Sequence, residues 1–239
     1  MEFAMSVGCM VFSLLSGSPG MVFARAGHYN TTYRSVGFPP IMKATLETIV
    51  GEARELFRDH GYAGASMQDL ATRVGIKKAS LYTRFSTKEA LVKGVLELTA
   101  QETLADLPSD TKNRPTRYEA LIRRIAEDLS RRGRCVGLHL AYGIQDETPE
   151  AAEAVREYFR NLRQYIADTL TPFLPKAHAL DLAADSLIRL EGATLWIVLE
   201  DDTAPMERVV ASLLAEVQHA IKVSARNEAK KGVRKRAHR

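Results

Sequence analysis

The stretch SMQDLATRVGIKKASLYTRFSTKE, from Ser66 to Glu89, constrains the fold of this chain more than any other part of it. Ser66 followed three residues later by Asp69 is a capping-box start, in which the hydroxyl accepts a hydrogen bond from a backbone N–H at the helix end. Gly75 then ends the helix, because glycine adopts the left-handed conformation without a steric cost. The stretch predicts two short helices joined by a tight turn, with a third helix beginning just after them.

Apolar spacing tells which sides of these helices are buried. In the first helix the apolar residues recur at i, i+3, i+4 and i+7, which is one face of a helix. The second helix, predicted from Lys77 to about Arg84, has apolar anchors beside a row of polar side chains. A second capping box, Ser86 with Glu89, is expected to end it and begin the next helix. The predicted inward set is Met67, Leu70, Ala71, Val74, Ile76, Leu81 and Phe85.

Two short helices around a glycine turn, with donors on the second, are typical of a helix-turn-helix, which inserts its second helix into the DNA major groove. An ordinary helical hairpin in a bundle has the same spacing, so spacing alone leaves both interpretations open. The residues around the turn favour the first. The run HGYAGASMQDLATRVGIKKASLYTRFSTKEAL, with ELF before it, closely resembles the N-terminal domain of the tetracycline-repressor (TetR) family of bacterial regulators. The similarity extends without a gap from roughly Ile49 to Val95.

The resemblance implies DNA contacts at particular positions of this chain. Tyr82 and Lys88 match residues that contact backbone phosphate, and such contacts position a protein without reading sequence. Gln68 is a candidate for adenine or phosphate, and Ser66 is both a helix cap and a candidate phosphate donor. The alternatives are a Tyr82 packed in the core and lysines on a solvated face. The candidates for the groove itself are Lys77, Lys78, Ala79, Ser80 and Thr83.

The net charge of +4 is concentrated at the end of the 239-residue chain. From Lys222 onward there are eight Lys or Arg residues against the single Glu228, so this segment carries +7 and everything before it sums to −3. A basic isoelectric point is therefore not independent evidence for DNA binding. Residues 226–239 are predicted to form a basic disordered tail.

Cysteine and histidine usage argues against a disulfide framework and against a metal or cofactor site. The two cysteines, Cys9 and Cys135, are too few for a disulfide framework and fit a reducing cytoplasm. His139, His178 and His219 lack the spacing of metal ligands. We expect neither a metal nor a cofactor in this protein.

Residues 1–41 are expected to lie outside the folded protein. The apolar run from Val7 to Leu15 looks like a secretory signal, but the residues before it include Glu2 and no Lys or Arg, which argues against export. The run is also too short to span a bilayer. Because Met42 stands where a family member would begin, we interpret 1–41 as an upstream extension from a misassigned start, or as a disordered arm.

The rest of the chain predicts an all-α protein. Residues 42–95 would form a three-helix DNA-binding domain, beginning with a helix from Met42 to His60. Residues 96–225 would form a larger helical domain, after a helix from Ser86 to about Leu107 and a polar boundary at PSDTKNRPT. Its most apolar helix, Leu180 to Leu199, is hydrophobic all round near its end, which predicts burial on every side. The last helix would run from Met206 to about Val223.

The resemblance implies that the C-terminal domain binds a small effector and dimerises. By that analogy the last two long helices would pair with their copies in a homodimer, and the effector would be a small apolar or amphipathic molecule. Aromatic residues at helical spacing more often belong to a core than to a pocket, so each pocket candidate has that alternative. The candidates are Tyr118, His139, Tyr142, Tyr158, Tyr165 and Trp196.

The sequence therefore favours a cytoplasmic, homodimeric transcriptional regulator that binds double-stranded operator DNA and is not membrane-bound. We expect it to be a repressor that its effector releases from the operator. One alternative is a constitutive DNA-binding protein with no effector pocket; a large apolar cavity would count against it, and a solid core would favour it. Another is an enzyme, but the sequence has no nucleophile elbow, phosphate loop, paired carboxylates or metal motif. We expect no catalytic residues.

Overall fold

A computed structural model describes residues 44–109, 115–144 and 148–237, and within these parts of the chain the regular structure is entirely helical. The predicted all-α fold class is confirmed. The predictions for residues 1–41 and for Met42 lie outside the described residues. The helices are α1 (Leu46–Gly64), α2 (Met67–Val74), α3 (Lys78–Tyr82), α4 (Lys88–Leu104), α5 (Thr116–Arg132), α6 (Val136–Gly143), α7 (Pro149–Leu170), α8 (Lys176–Glu200) and α9 (Ala204–Ala237).

The first helix is capped by Thr45, whose side chain accepts a hydrogen bond from the Thr48 amide. Gly61 lies within the span of α1 but has φ of 67° and ψ of −176°, so the regular helix ends there as the sequence predicts and one further turn follows. The Ser66 cap of α2 is also confirmed, because its hydroxyl accepts from the Asp69 amide. Gly75 ends α2 in the left-handed conformation, with φ of 72°.

The predicted second capping box is wrong by one residue. The cap of α4 is Thr87, whose hydroxyl accepts from the Ala90 amide, and not Ser86. The sequence offers two neighbouring hydroxyl residues, both good caps, and the helix register selects the later one. The carboxylate of Glu89 does not bind back to its own helix start; it accepts from the Ala151 amide in the first turn of α7, at 3.3 Å. The helix also ends at Leu104, before the predicted Leu107.

Helices α1 to α4 share one hydrophobic core with parts of α6 and α7. Leu70, Leu81 and Val92 are fully buried in it, each on a different helix. Val136 and Leu140 from α6 pack into the same cluster, as do two residues from the start of α7. The helices on either side of the helix-turn-helix are therefore packed directly against the C-terminal half, α1 against α6 and α4 against α7.

The second core lies among α5, α7, α8 and α9. The apolar residues of α5 recur at helical spacing and are buried as a whole, with Tyr118, Leu121 and Ile122 fully enclosed. Gly133 ends this helix with φ of 68°, and Pro149 opens α7 at its first position, where proline is favoured.

Two predictions for the last helices are wrong. Burial of the end of α8 on every side does not occur in the single chain, because α5, α7 and α9 cover only one side of it. The basic tail does not begin as a disordered segment at residue 226, because α9 continues as a helix to Ala237, well beyond Val223. Its Ala, Lys, Arg and Glu residues are all good helix formers. The exposed apolar residues on α8 are Ile188, Leu195, Trp196, Val198 and Leu199.

Candidate functional site

The helix α3 presents nearly all of its side chains to solvent. Only Leu81 is buried, and it anchors the helix to α1, α2 and α4. Tyr82 is 43% exposed, which argues against the alternative of a core tyrosine, and the Lys78 Nζ lies 5.9 Å from the centre of its ring. The other residues predicted for the groove or for phosphate are exposed as well: Ser66, Gln68, Lys77, Lys78, Ala79, Ser80 and Thr83.

The turn between α2 and α3 is held by the backbone. The Gly75 and Ile76 amides donate to the carbonyls of Thr72 and Ala71, at 3.2 and 3.0 Å. At the other end of α3, the Thr83 hydroxyl donates to the Ser80 carbonyl at 2.8 Å. These bonds cap the ends of α2 and α3, and the buried Leu81 holds α3 in the core, so its exposed side chains project from a rigid support, as recognition of a DNA groove requires.

Lys88 differs from the other predicted contacts because its ammonium group binds the protein itself. Its Nζ donates to the carbonyl oxygens of Tyr62 and Ala65, at 2.7 and 3.1 Å, and lies 4.1 Å from the centre of the Tyr62 ring. Burial lowers the pKa of Lys88. An ammonium group has three protons, so one remains after these two bonds. Lys88 thus joins the start of α4 to the link between α1 and α2, a role that the sequence motif did not reveal.

Ion pairs join α1 to α5 on the other side of the first core. The Arg132 Nη1 lies 2.6 Å from the Glu55 Oε1, and its Nε lies 2.8 Å from Asp128. Arg58, which is buried, pairs with the second oxygen of Glu55 and donates to the Arg134 carbonyl at 3.3 Å. Burial acts to raise the pKa of Glu55, but Arg58 and Arg132 outweigh it and lower that pKa. Periodicity could not predict the link between the two helices, because Glu55 and Arg132 lie 77 residues apart.

The structure brings two of the six candidates for an effector pocket, Tyr158 and Tyr165, to one groove between α4 and α7. Tyr118 is buried, with its hydroxyl 2.9 Å from the Ser186 Oγ, and burial raises its pKa to about 12. Tyr142 is 84% exposed and Trp196 is 45% exposed. In the groove Tyr165 also bonds Arg117 and Tyr158 packs against Gly137, while His139 contacts Gly61.

Two spaces in the C-terminal half meet at Tyr158. One, the more enclosed of the two, is a cavity of about 30 Å³ where α1 and α4 to α8 come together. The other is a groove of about 260 Å³ between α4 and α7, open to solvent. Tyr158 and Leu162 line both, so these two side chains are the wall between them. No large enclosed apolar cavity is present in the described parts of the chain.

Other classes of site find no support among the described residues. No group of three or more His, Cys, Asp or Glu residues there is arranged to hold a metal ion. None of the described helices combines the length and hydropathy needed to cross a bilayer.

An exposed recognition helix on a glycine turn, carried by three packed helices and followed by a helical bundle, defines a helix-turn-helix DNA-binding protein. The chain matches the model of the TetR family of bacterial regulatory proteins over residues 49–95. It matches the C-terminal domain of LmrA/YxaF-like transcriptional regulators over residues 116–212. The chain belongs to the TetR family and is a DNA-binding transcriptional regulator.

Individual relatives agree with this assignment. The chain is 27% identical over 125 residues to the repressor BdcR of Escherichia coli, a match covering 51% of this chain and 64% of BdcR. It is 26% identical over 174 residues to the repressor DhaR of a Mycobacterium species, covering 67% of this chain and 85% of DhaR. A TetR regulator from Legionella pneumophila has a similar fold, with a TM-score of 0.62 at 22% identity, over 71% of this chain and 95% of that one. One from Chloroflexus aurantiacus has a TM-score of 0.61 at 23% identity, over 72% and 92%.

Proposed function

We propose that the protein is a cytoplasmic homodimeric repressor that binds a two-fold-symmetric operator through α3 and leaves it when a small effector occupies the C-terminal helices. The observation that carries the proposal is the exposed face of α3, with Lys77 and Lys78 beside a half-exposed Tyr82. Lysine donors suit guanine O6 and N7, and the Ala79 methyl suits thymine.

Dimerisation through α8 and α9 is supported by the surface of α8. Ile188, Leu195 and Leu199 are 67%, 54% and 66% exposed in the single chain. Large apolar side chains clustered on one helix are a typical protein–protein contact. Gly192 lies among them with open space around its α-carbon, which would let a second helix approach closely. A second copy of α8 and α9 would bury this surface.

Effector release requires the C-terminal helices to act on α3, and the packing offers a route. Helix α6 lies so close to α1 that a Cβ on Gly61 would stand 2.9 Å from the His139 Nε2. The start of α7 is held by Glu89 and by a hydrogen bond between Tyr62 and Thr148. A shift of α6 or α7 would therefore tilt α1 and α4. The two copies of α3 in a dimer must lie about 34 to 36 Å apart, roughly one DNA turn. A small tilt would therefore remove operator binding.

Footprinting on genomic fragments tests the proposal. Purified protein should protect sites with two symmetric halves whose centres lie about 10 base pairs apart. The same reaction is then repeated with a panel of apolar and amphipathic small molecules, and one of them should remove the protection. Protection of single, unpaired half-sites would contradict the dimeric repressor.

A constitutive DNA-binding protein remains the second candidate, and the small enclosed cavity favours it. A space of about 30 Å³ holds roughly one water molecule rather than an effector. Under that alternative the footprint would persist with every compound in the panel. Under the repressor proposal, the wall at Tyr158 moves when an effector binds.

A further inference from the structure

The carboxyl group of Glu191 is the unusual feature of the enclosed cavity. Glu191 lies on α8, and its Oε2 is buried without any hydrogen-bond partner among the described residues. Burial raises the pKa of Glu191, and the hydrogen bond from the Cys135 thiol lowers it only in part. A buried carboxyl oxygen without a donor is costly, so native proteins usually pair such groups.

The other ionisable residues at the cavity have partners. Arg58 pairs with Glu55, and Asp128 pairs with Arg131 and Arg132. The Cys135 thiol hydrogen-bonds Glu191 itself, and burial raises the pKa of this thiol and of the neighbouring Tyr158 hydroxyl. These neighbours supply no positive charge that is free for Glu191, so a cationic partner would have to come from a bound molecule.

One route to Glu191 passes the wall formed by Tyr158 and Leu162. On the solvent side of that wall lies the groove between α4 and α7, which is lined by Leu96, Leu104 and Tyr165 among others. The apolar part of a molecule fits the groove, and its polar end would reach Glu191 once the Tyr158 ring turns aside. Side-chain rotation of this kind is common when small molecules bind.

We propose that the effector is an amphipathic amine, whose apolar body occupies the α4–α7 groove and whose protonated nitrogen donates to the buried Glu191 carboxylate. The proposal rests on the proposed function, because it names the chemical class of the molecule that releases the operator. An anionic effector would be repelled by Glu191, and a neutral one would leave the carboxylate without a countercharge. Hydrogen bonds between charged partners are about twice as strong as neutral ones.

Three probes that share a naphthyl ring on a two-carbon arm separate these cases in isothermal titration calorimetry of the full chain. They are 2-(2-naphthyl)ethylamine, 2-(2-naphthyl)ethanol and 3-(2-naphthyl)propionate. The wild-type protein should bind the amine at least about tenfold more tightly than the alcohol, and the propionate least of all. Glu191→Gln keeps the shape of the side chain and removes its charge, so it should abolish this preference and leave the affinity for the alcohol within about threefold of wild type.

Glu157→Gln is the matched control, because Glu157 lines the groove but not the enclosed cavity. It should retain the preference for the amine. Equal affinity of wild type for amine and alcohol would overturn the proposal, as would a preference that survives Glu191→Gln. A failure of all three probes to bind would also overturn it, and would mean that Glu191 is bonded only to a trapped water.

Operator binding, measured on the same preparations, tells apart a failure of this proposal and a failure of the proposed function. If the alcohol releases the operator as well as the amine does, the repressor function stands and the amine class is wrong. If the amine binds through Glu191 without releasing the operator, the site is right and effector release is wrong.

Discussion

The face of α3 and the end of α8 are both exposed, but they expose opposite chemistry. On α3 the apolar Leu81 is buried and the surface carries lysines, hydroxyls and a tyrosine. On α8 the surface carries Leu195, Trp196, Val198 and Leu199. Polar donors on a rigid helix are suited to phosphates and base edges, whereas an apolar helix face is suited to another protein. The contrast supports the proposal that the two surfaces serve two kinds of partner.

The largest expected effect separates the two surfaces. Leu195→Glu combined with Leu199→Glu should convert the dimer to a monomer, because charges would be buried without partners at the interface. Operator affinity should fall by at least about 100-fold, since a monomer makes only half of the contacts. Light scattering coupled to size exclusion measures the oligomeric state. The control is Leu46→Glu, which alters an equally exposed leucine on α1 and should leave a dimer.

The second prediction concerns α3. Lys77→Ala combined with Lys78→Ala should weaken operator binding by at least about 30-fold, because each of the two lost contacts costs about 1 to 3 kcal/mol. The dimer and the melting temperature should be unchanged, since both side chains are exposed. Fluorescence anisotropy with a labelled operator gives the affinity. Lys93→Ala, on the exposed side of α4, is the control and should bind the operator as wild type does. Equal losses of affinity in the control and in the α3 variant would mean that α3 is not the recognition helix.

The third prediction concerns Lys88, whose replacement should have a smaller effect on both DNA affinity and the stability of the fold. Lys88→Ala should weaken binding to all DNA sequences alike and flatten the dependence of affinity on salt by about one unit of slope. It should also lower the melting temperature by several degrees, because two carbonyls lose their charged donor at a cost of about 1 to 3 kcal/mol. Salt titration and thermal melting are the measurements. A change in site preference would place this lysine in the groove instead.

The smallest effect compares two glycines with open space around them. Gly51→Ala in α1 should stabilise the protein by up to about 1 kcal/mol, because alanine favours a helix and meets no neighbour within 4 Å. Gly192→Ala should stabilise an isolated chain in the same way, yet it should weaken the dimer if a second α8 packs there. Sedimentation at several concentrations separates the two cases. An unchanged dimer constant for Gly192→Ala would move the interface away from this part of α8.

Local sequence patterns predicted the helix-turn-helix well, because residues close together in the chain determine each of its elements. The Ser66 cap, the Gly75 turn and the Leu81 anchor each follow from a few neighbours along the chain, and all three are confirmed. The error at Ser86 arose where two adjacent hydroxyl residues could serve as caps. Hydrophobic periodicity likewise identified the buried stripe of α5.

Contacts between distant residues could not be predicted in this way. The bond from Glu89 to the start of α7 and the pair of Arg132 with Glu55 join residues 62 and 77 positions apart. The same limit applies to Glu191, which reads in sequence as a charge on an ordinary helix. The pocket candidates were chosen because they are aromatic, yet the cavity is distinguished by this unpaired carboxyl. The end of α8 was misjudged because an all-round apolar helix predicts burial without saying which molecule covers it.

The stoichiometry of the complex on DNA tests the central claim most directly. Native mass spectrometry of the protein on its footprinted operator duplex should give two chains per duplex, with no complex of a single chain at operator concentrations near the dissociation constant. That result would mean that two copies of α3 are held by one dimer facing one duplex. A complex of one chain per duplex would contradict the account. So would stepwise addition of single chains to the duplex.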